Sequence, residues 1–268
     1  CNLAEPDYGI ITNIGKAHLE GFGSFEGVIR AKNELYEYVC SHEGIIFYHS
    51  DNQLLSRLLE EKNCQLVDYG TSPDAYCSGK ILANTPYLKL RADGSVIETH
   101  LIGEYNFENL LAAICVGKYM KVDHAAMDEA IRHYVPSDNR SQVLQKGSNE
   151  IILDAYNANP TSMKAALENF RRLNRHHKVL ILGDMFELGS YSEEEHRNIV
   201  NLLIDKGFEQ VFLIGEMFYR QAQGTFQAFR SSEEFIRWLS HHPMEHASIL
   251  IKGSRGMALE NIIAHLQE

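Results

Sequence analysis

In the stretch TNIGKAHLEGFGSFEGVIRAKNELYEYV, residues 12–39, a cation stands where an amphipathic helix should be apolar. Phe25, Val28, Ile29, Leu35, Tyr36 and Val39 recur at the 3.6-residue period, and Lys32 falls on the same side. Two readings follow. The four-carbon stem can lie along the core edge with its ammonium in water, the commoner fate of a lone lysine. Alternatively, desolvation lowers the pKa and leaves a neutral amine able to take up carbon dioxide as a carbamate. A carbamate offers the anionic oxygens that magnesium prefers. His18 in the preceding loop, with Glu34 or Glu37, would add ligands or support them from behind.

Three further stretches place polar residues directly after an apolar run. In ILDAYNANPTSMKAAL, Asp154 ends a strand and can accept from ribose hydroxyls, and Asn157 can meet polar ligand atoms. Asn159 before Pro160 reads first as a helix cap. In SILIKGSRGMALENII, Lys252, Ser254 and Arg255 at an expected helix start suggest an anion pocket, against the alternative of solvated charges. In VLILGDMFELGSYSEEEH, Asp184 and Glu187 either bind a cationic group or favour the helix that follows. Asn106 and Asn109 share one face of a helix entry, where one caps the helix or both reach a base edge. Arg140, in the segment VPSDNR, reaches a phosphate or remains a surface charge.

The elements that would carry these residues form two series. Up to about residue 135, strands at 8–12, 44–48 and 65–69 alternate with helices at 25–39 and 51–62, which implies parallel pairing. Residues 77–102 offer three short runs separated by Asn-Thr-Pro and Ala-Asp-Gly-Ser, the pattern of hairpins. Helices at about 108–120 and 124–134 precede a linker at Pro136, and we place the domain boundary between residues 137 and 138. Beyond it, strands at about 150–154, 178–182, 210–214 and 248–251 each feed a helix, including one at 162–173. That is an α/β, doubly wound arrangement with ligands at the carboxyl ends of the strands.

Composition bounds the function. A net charge of −11 argues against a nucleic-acid partner, which needs a basic face. With 44% hydrophobic residues and no run of about 20 apolar ones, the chain reads as globular with no membrane span. Five cysteines, odd in number and never C-x-x-C, suggest reduced thiols in a cytoplasmic protein. No G-x-x-x-x-G-K-S/T loop occurs, so an ATP triphosphate would need another cradle. The opening CNLAEPDYGI lacks a methionine and enters a strand almost at once, as expected of part of a longer protein.

Taken in order, TNIGKAHLEGFGS, RAKNEL, YNANPTSM, GDMFELG and KGSRGM resemble the Mur ligases, ATP-dependent enzymes that build the peptide stem of peptidoglycan. YNANP and GDMFELG are most similar to the branch that adds D-alanyl-D-alanine to UDP-MurNAc-tripeptide through an acyl phosphate. The resemblance implies that Lys32 is carbamylated and, with His18, positions Mg2+. It also implies that Asn106 and Asn109 contact adenine, that Arg140 and Asp154 reach the γ-phosphate and ribose, and that the turns carrying Asp184, Glu187, Lys252, Ser254 and Arg255 face the peptide substrates. In these terms the fold is the remainder of a central ATPase domain (1–137) followed by a Rossmann-like C-terminal ligase domain (138–268). Two departures stand out: Tyr105-Asn106 replaces the family's usual His-Asn, and the family's UDP-sugar domain and phosphate loop are missing. Rival readings are a non-catalytic binding module and a ligase for another amino acid or a polyglutamate tail.

Overall fold

A computed structural model describes residues 1–84, 87–222 and 224–266. The chain divides into two compact units, Cys1–Gly15 with Phe22–Val135, and Lys16–Gly21 with Pro136–Glu268.

In the first series, β1 (Tyr8–Ile10) and the single turn α1 (Leu19–Phe22) precede α2 (Phe25–Ser41), β2 (Ile45–His49), α3 (Gln53–Leu59) and β3 (Gln65–Gly70). β4 (Cys77–Asn84), β5 (Leu88–Ala92) and β6 (Ser95–Glu98) follow, then α4 (Tyr105–Tyr119) and α5 (His124–His133). The sheet runs β1-β2-β3-β4-β5-β6, with parallel pairing as far as β4 and antiparallel pairing beyond it. Helical crossovers carry the parallel joins β1–β2 and β2–β3, whereas β3 and β4 pair in parallel only at Tyr69–Gly70 with Cys77–Ser78 and have no helix between them. Asp93 and Gly94, at φ 46° and 88°, make the two-residue turn between β5 and β6. Of the expected Asn-Thr-Pro turn, Thr85 and Pro86 lie outside the described residues.

Alternation along β2 sends Phe47 to a core with Phe107 and Leu111 of α4, and Ile46 to one with Tyr36 and Val39 of α2. Ser24 caps α2 by accepting the Gly27 N–H. One expectation is corrected here: Cys40, in the last turn of α2, is disulfide-bonded to Cys64, just before β3, with Cα atoms 4.8 Å apart. Their separation of 24 residues gave no sign of this, because the docking of α2 beside the sheet brings them together. Cys1, Cys77 and Cys115 are free.

The second series comprises β7 (Gln142–Lys146), β8 (Asn149–Asp154), α6 (Pro160–Arg172), β9 (Lys178–Gly183), α7 (Ser192–Asp205) and β10 (Gln210–Ile214). α8 (Glu216–Gln221), β11 (Gln227–Phe229), α9 (Ser232–Leu239) and β12 (Ser248–Lys252) complete it. The sheet order is β11-β10-β9-β12-β8-β7, parallel except for β7. Central strands such as Ile249–Ile251 are buried on both faces and read as continuous apolar runs. β7 and β11, the two edges, were absent from the sequence reading. A second correction concerns β12, which feeds 3₁₀ turns at Arg255–Met257 and Leu259–His265 rather than an α-helix, with Ala258 at φ 47° between them. Among the described residues no helix is long and apolar enough to cross a membrane.

Candidate active site

Asp154 and Lys252 end neighbouring parallel strands and are paired in register. Lys252 Nζ donates to Asp154 Oδ2 at 2.7 Å and to the Asn157 carbonyl at 3.3 Å, and the lysine is 2% exposed. Asp154 Oδ1 accepts from the Ser141 backbone N–H and hydroxyl. Lys252 thus neutralises a carboxylate inside the protein instead of presenting a free charge. Ser254 is likewise buried: its Oγ accepts the Phe186 N–H at 2.8 Å and donates to the Ala158 carbonyl. With no α-helix after β12, the expected helix-start anion pocket is corrected to a braced turn. Asn159 caps α6 through a reciprocal bond with Ser162, and the exposed Asn157 accepts the Ala158 N–H.

Sequence reading missed Tyr156. The guanidinium carbon of Arg140 lies 3.7 Å from its ring centroid and that of Arg255 lies 5.2 Å from it. A hydrogen bond from Arg140, its charge, and the charge of Arg255 hold the phenol below its ordinary range. Neither arginine has a carboxylate partner among the described residues, so two cations with no counterion share one aromatic ring at the carboxyl end of β8. A tyrosine between a strand-ending aspartate and an asparagine cluster was the available signal.

Asp184 is buried and accepts the N–H groups of Met217 and Phe218 at 3.0 and 2.9 Å. It therefore serves the start of α8, not the helix after its own strand as the sequence suggested. The approach requires glycine at 215: φ is 118° there, and a Cβ would stand 2.3 Å from the Asp184 carboxyl carbon. Beside it, fully buried His196 donates from Nδ1 to the Ser192 carbonyl at 2.7 Å and accepts the Met185 N–H at Nε2. That pattern fixes a neutral ring. Burial pushes its pKa below the ordinary 6.5, outweighing the Ser192 bond and the charges of Asp184 and Glu195. Below about pH 6.5 the unfolded chain takes a proton that the folded one refuses, so stability falls with pH until the lowered folded pKa is reached. In urea titrations between about pH 7.5 and 5.5, wild type should lose up to about 1.4 kcal/mol per pH unit more than His196→Asn. Equal slopes would rule the histidine out as the cause.

Segment 16–21 is tied to the second unit. Lys16 Nζ meets Glu195 Oε1 at 2.6 Å, and its backbone N–H donates to Thr161. His18 pairs through Nδ1 with Glu187, both exposed and both left-handed at φ 55° and 61°, while Glu20 N–H donates to the Glu187 carbonyl. Neither the His18–Glu187 pair nor the Lys16–Glu195 pair was legible in the sequence.

In the first unit, Lys32 is half-buried on α2 and donates to the Asn13 carbonyl at 2.8 Å. It has no carboxylate partner among the described residues, and burial lowers its pKa. The expected neighbours turn elsewhere: Glu37 takes Asn33 and Lys62, and Glu34 is exposed. Asn106 donates to the Ile102 carbonyl and accepts from Asn109; neither caps α4, whose N-cap is Glu104 with no side-chain capping bond. The capping expectation is thereby corrected, since the asparagine side chain turns back to a carbonyl ahead of the helix.

A Mur ligase middle-domain model matches residues 1–117, and a model of the Mur ligase, glutamate ligase domain matches residues 139–255. The UDP-N-acetylmuramoyl-tripeptide--D-alanyl-D-alanine ligase of Bacillus subtilis is 29% identical over 279 residues, 99% of this chain and 60% of its own length. Its Escherichia coli counterpart is 29% identical over 280 residues, 100% of this chain and 61% of its own length. The UDP-N-acetylmuramate--L-alanine ligase of Desulforamulus reducens, 27% identical, covers only 63% of the chain. Among solved structures, MurF from Acinetobacter baumannii superposes with a TM-score of 0.83 at 26% identity, over 98% of this chain and 60% of that one. The chain thus spans about three fifths of the length of the curated D-alanyl-D-alanine ligases it matches.

Proposed function

The chain belongs to the Mur ligase family, and from that premise we propose that it is the catalytic portion of an ATP-dependent ligase joining D-alanyl-D-alanine to UDP-MurNAc-tripeptide in the cytoplasm. One observation carries the choice of acceptor: relatives of that name match both units almost end to end, whereas the L-alanine ligase matches about two thirds of the chain. In this reading residues up to 137 finish an ATP-binding domain, and residues from 138 form the ligase domain.

The tripeptide carboxylate takes the γ-phosphoryl group of ATP and releases ADP. The amine of D-alanyl-D-alanine then attacks the acyl carbon, phosphate leaves, an amide forms and the amine loses a proton. Such transfers depend on positioning and charge neutralisation. Arg140 meets the transferred phosphoryl group, and Asp154 keeps lone pairs for a ribose hydroxyl beyond those given to Lys252 and Ser141. Asn106, Asn109 and Asn157 are assigned to polar contacts with the nucleotide. Glu187 and Arg255, both exposed, are assigned to the peptide, while Asp184, Lys252 and Ser254 hold the turns that carry them.

Lys32 suits carbamate formation, because its half-buried amine has no competing carboxylate among the described residues, where no group of three His, Cys, Asp or Glu side chains that could hold a metal occurs. Lys32 as a carbamate and His18 are the residues we assign to hold Mg2+, which when bound would offset the phosphate charge.

The test is ATP-dependent phosphate release with UDP-MurNAc-tripeptide and D-alanyl-D-alanine, run on this chain and on this chain joined to the part of a relative that it does not cover. Release by the joined protein, with single amino acids failing as acceptors, is expected. No release from a folded joined protein, or equal release with single amino acids, would overturn the reading.

A further inference from the structure

Arg140 and Arg255 come from segments 115 positions apart in the chain, the first held beside the end of β8 and the second in a turn fastened to Ala158 and to Asp184 and Phe186 after β9. Asn139 accepts the Tyr156 N–H at its carbonyl, and Ser141 is held by Asp154, so Arg140 sits between two anchored neighbours. Asp138, Asn139 and Ser141 are left-handed at φ 56°, 58° and 49°, a conformation that costs energy outside glycine and collects at functional sites. Arg255 follows Ser254, which is buried and bonded to Phe186 and Ala158. Two like charges held near one ring without a counterion repel each other, and a dianion would relieve that repulsion.

We propose that Arg140 and Arg255 form one clamp for a single phosphate-type dianion, and that Tyr156 is the positioning residue that holds the two guanidiniums together. This rests on the reading that this end of the sheet handles the transferred phosphoryl group, and it moves Arg255 from the acceptor peptide to the phosphate. The ring supplies a shared cation–π platform for both guanidiniums.

Calorimetric titration of the 268-residue chain with inorganic pyrophosphate at low salt tests the clamp without any turnover, so a failed ligase assay and a failed clamp are separate results. One saturable site is expected. Arg140→Ala and Arg255→Ala should each weaken it about tenfold or more. Tyr156→Phe, which keeps the ring, should bind within about threefold of wild type, while Tyr156→Leu should lose as much as either arginine variant at an unchanged melting temperature. A parallel titration with D-alanyl-D-alanine should be indifferent to Arg255→Ala. Absence of saturable pyrophosphate binding, a wild-type affinity in Arg255→Ala or in Tyr156→Leu, or an Arg255→Ala defect confined to the dipeptide would each overturn the proposal.

Discussion

Lys252→Met is expected to destabilise the second unit by about 3–5 kcal/mol, the range seen when one member of a buried ion pair is removed. The lysine side chain is 2% exposed and that of Asp154 17%, so water replaces the lost partner only in part. Methionine fills the volume of the stem, so the loss reports the carboxylate left without its cation and the Asn157 carbonyl left without its donor. Asp154→Asn alone strands the ammonium instead and should cost a similar amount. The double variant should then be more stable than the sum of the two predicts by at least about 2 kcal/mol, because it strands neither charge. Urea denaturation of the four proteins closes the cycle. Simple additivity would mean that the two groups act separately and that the bridge is not what holds the ends of β8 and β12.

The same pair marks where sequence reading stops. Periodicity revealed α2 and α6, each with a buried face that only one period satisfies, and short continuous apolar runs revealed the central strands. It did not reveal β7 and β11, whose edge positions leave them short and half-exposed, so neither alternation nor a continuous apolar run stands out. At the site, the sequence reading put Asp154 and Lys252 at the ends of strands, Arg255 in the turn after one and Arg140 in the linker, but could not say which charges face each other. Lys252 looks like a free cation until β12 is set beside β8 in register. Asp184 looks like a ligand until α8 is seen to start on it. Partner choice is a property of sheet order, and sheet order places β12, the last strand, between β8 and β9.

Lys32 separates the two readings with which the sequence began. In the joined ligase, Lys32→Ala and Lys32→Arg are both expected to lower kcat about 10^3-fold or more, with little change in stability. If the lysine merely lays its stem on the core edge and sends its charge to water, arginine does the same and should be tolerated. If it works as a carbamate, arginine fails, because a guanidinium keeps its proton at any working pH and cannot add carbon dioxide. Burial of α2's inner face lowers the Lys32 pKa, so the neutral amine gains population as pH rises toward that lowered value. Activity should accordingly fall in bicarbonate-depleted buffer and recover on its return, more steeply at lower pH where less neutral amine is available. A carbamate carbon signal from labelled bicarbonate should be present in wild type and absent in Lys32→Arg. An active arginine variant would return Lys32 to the snorkelling role and leave magnesium to other ligands.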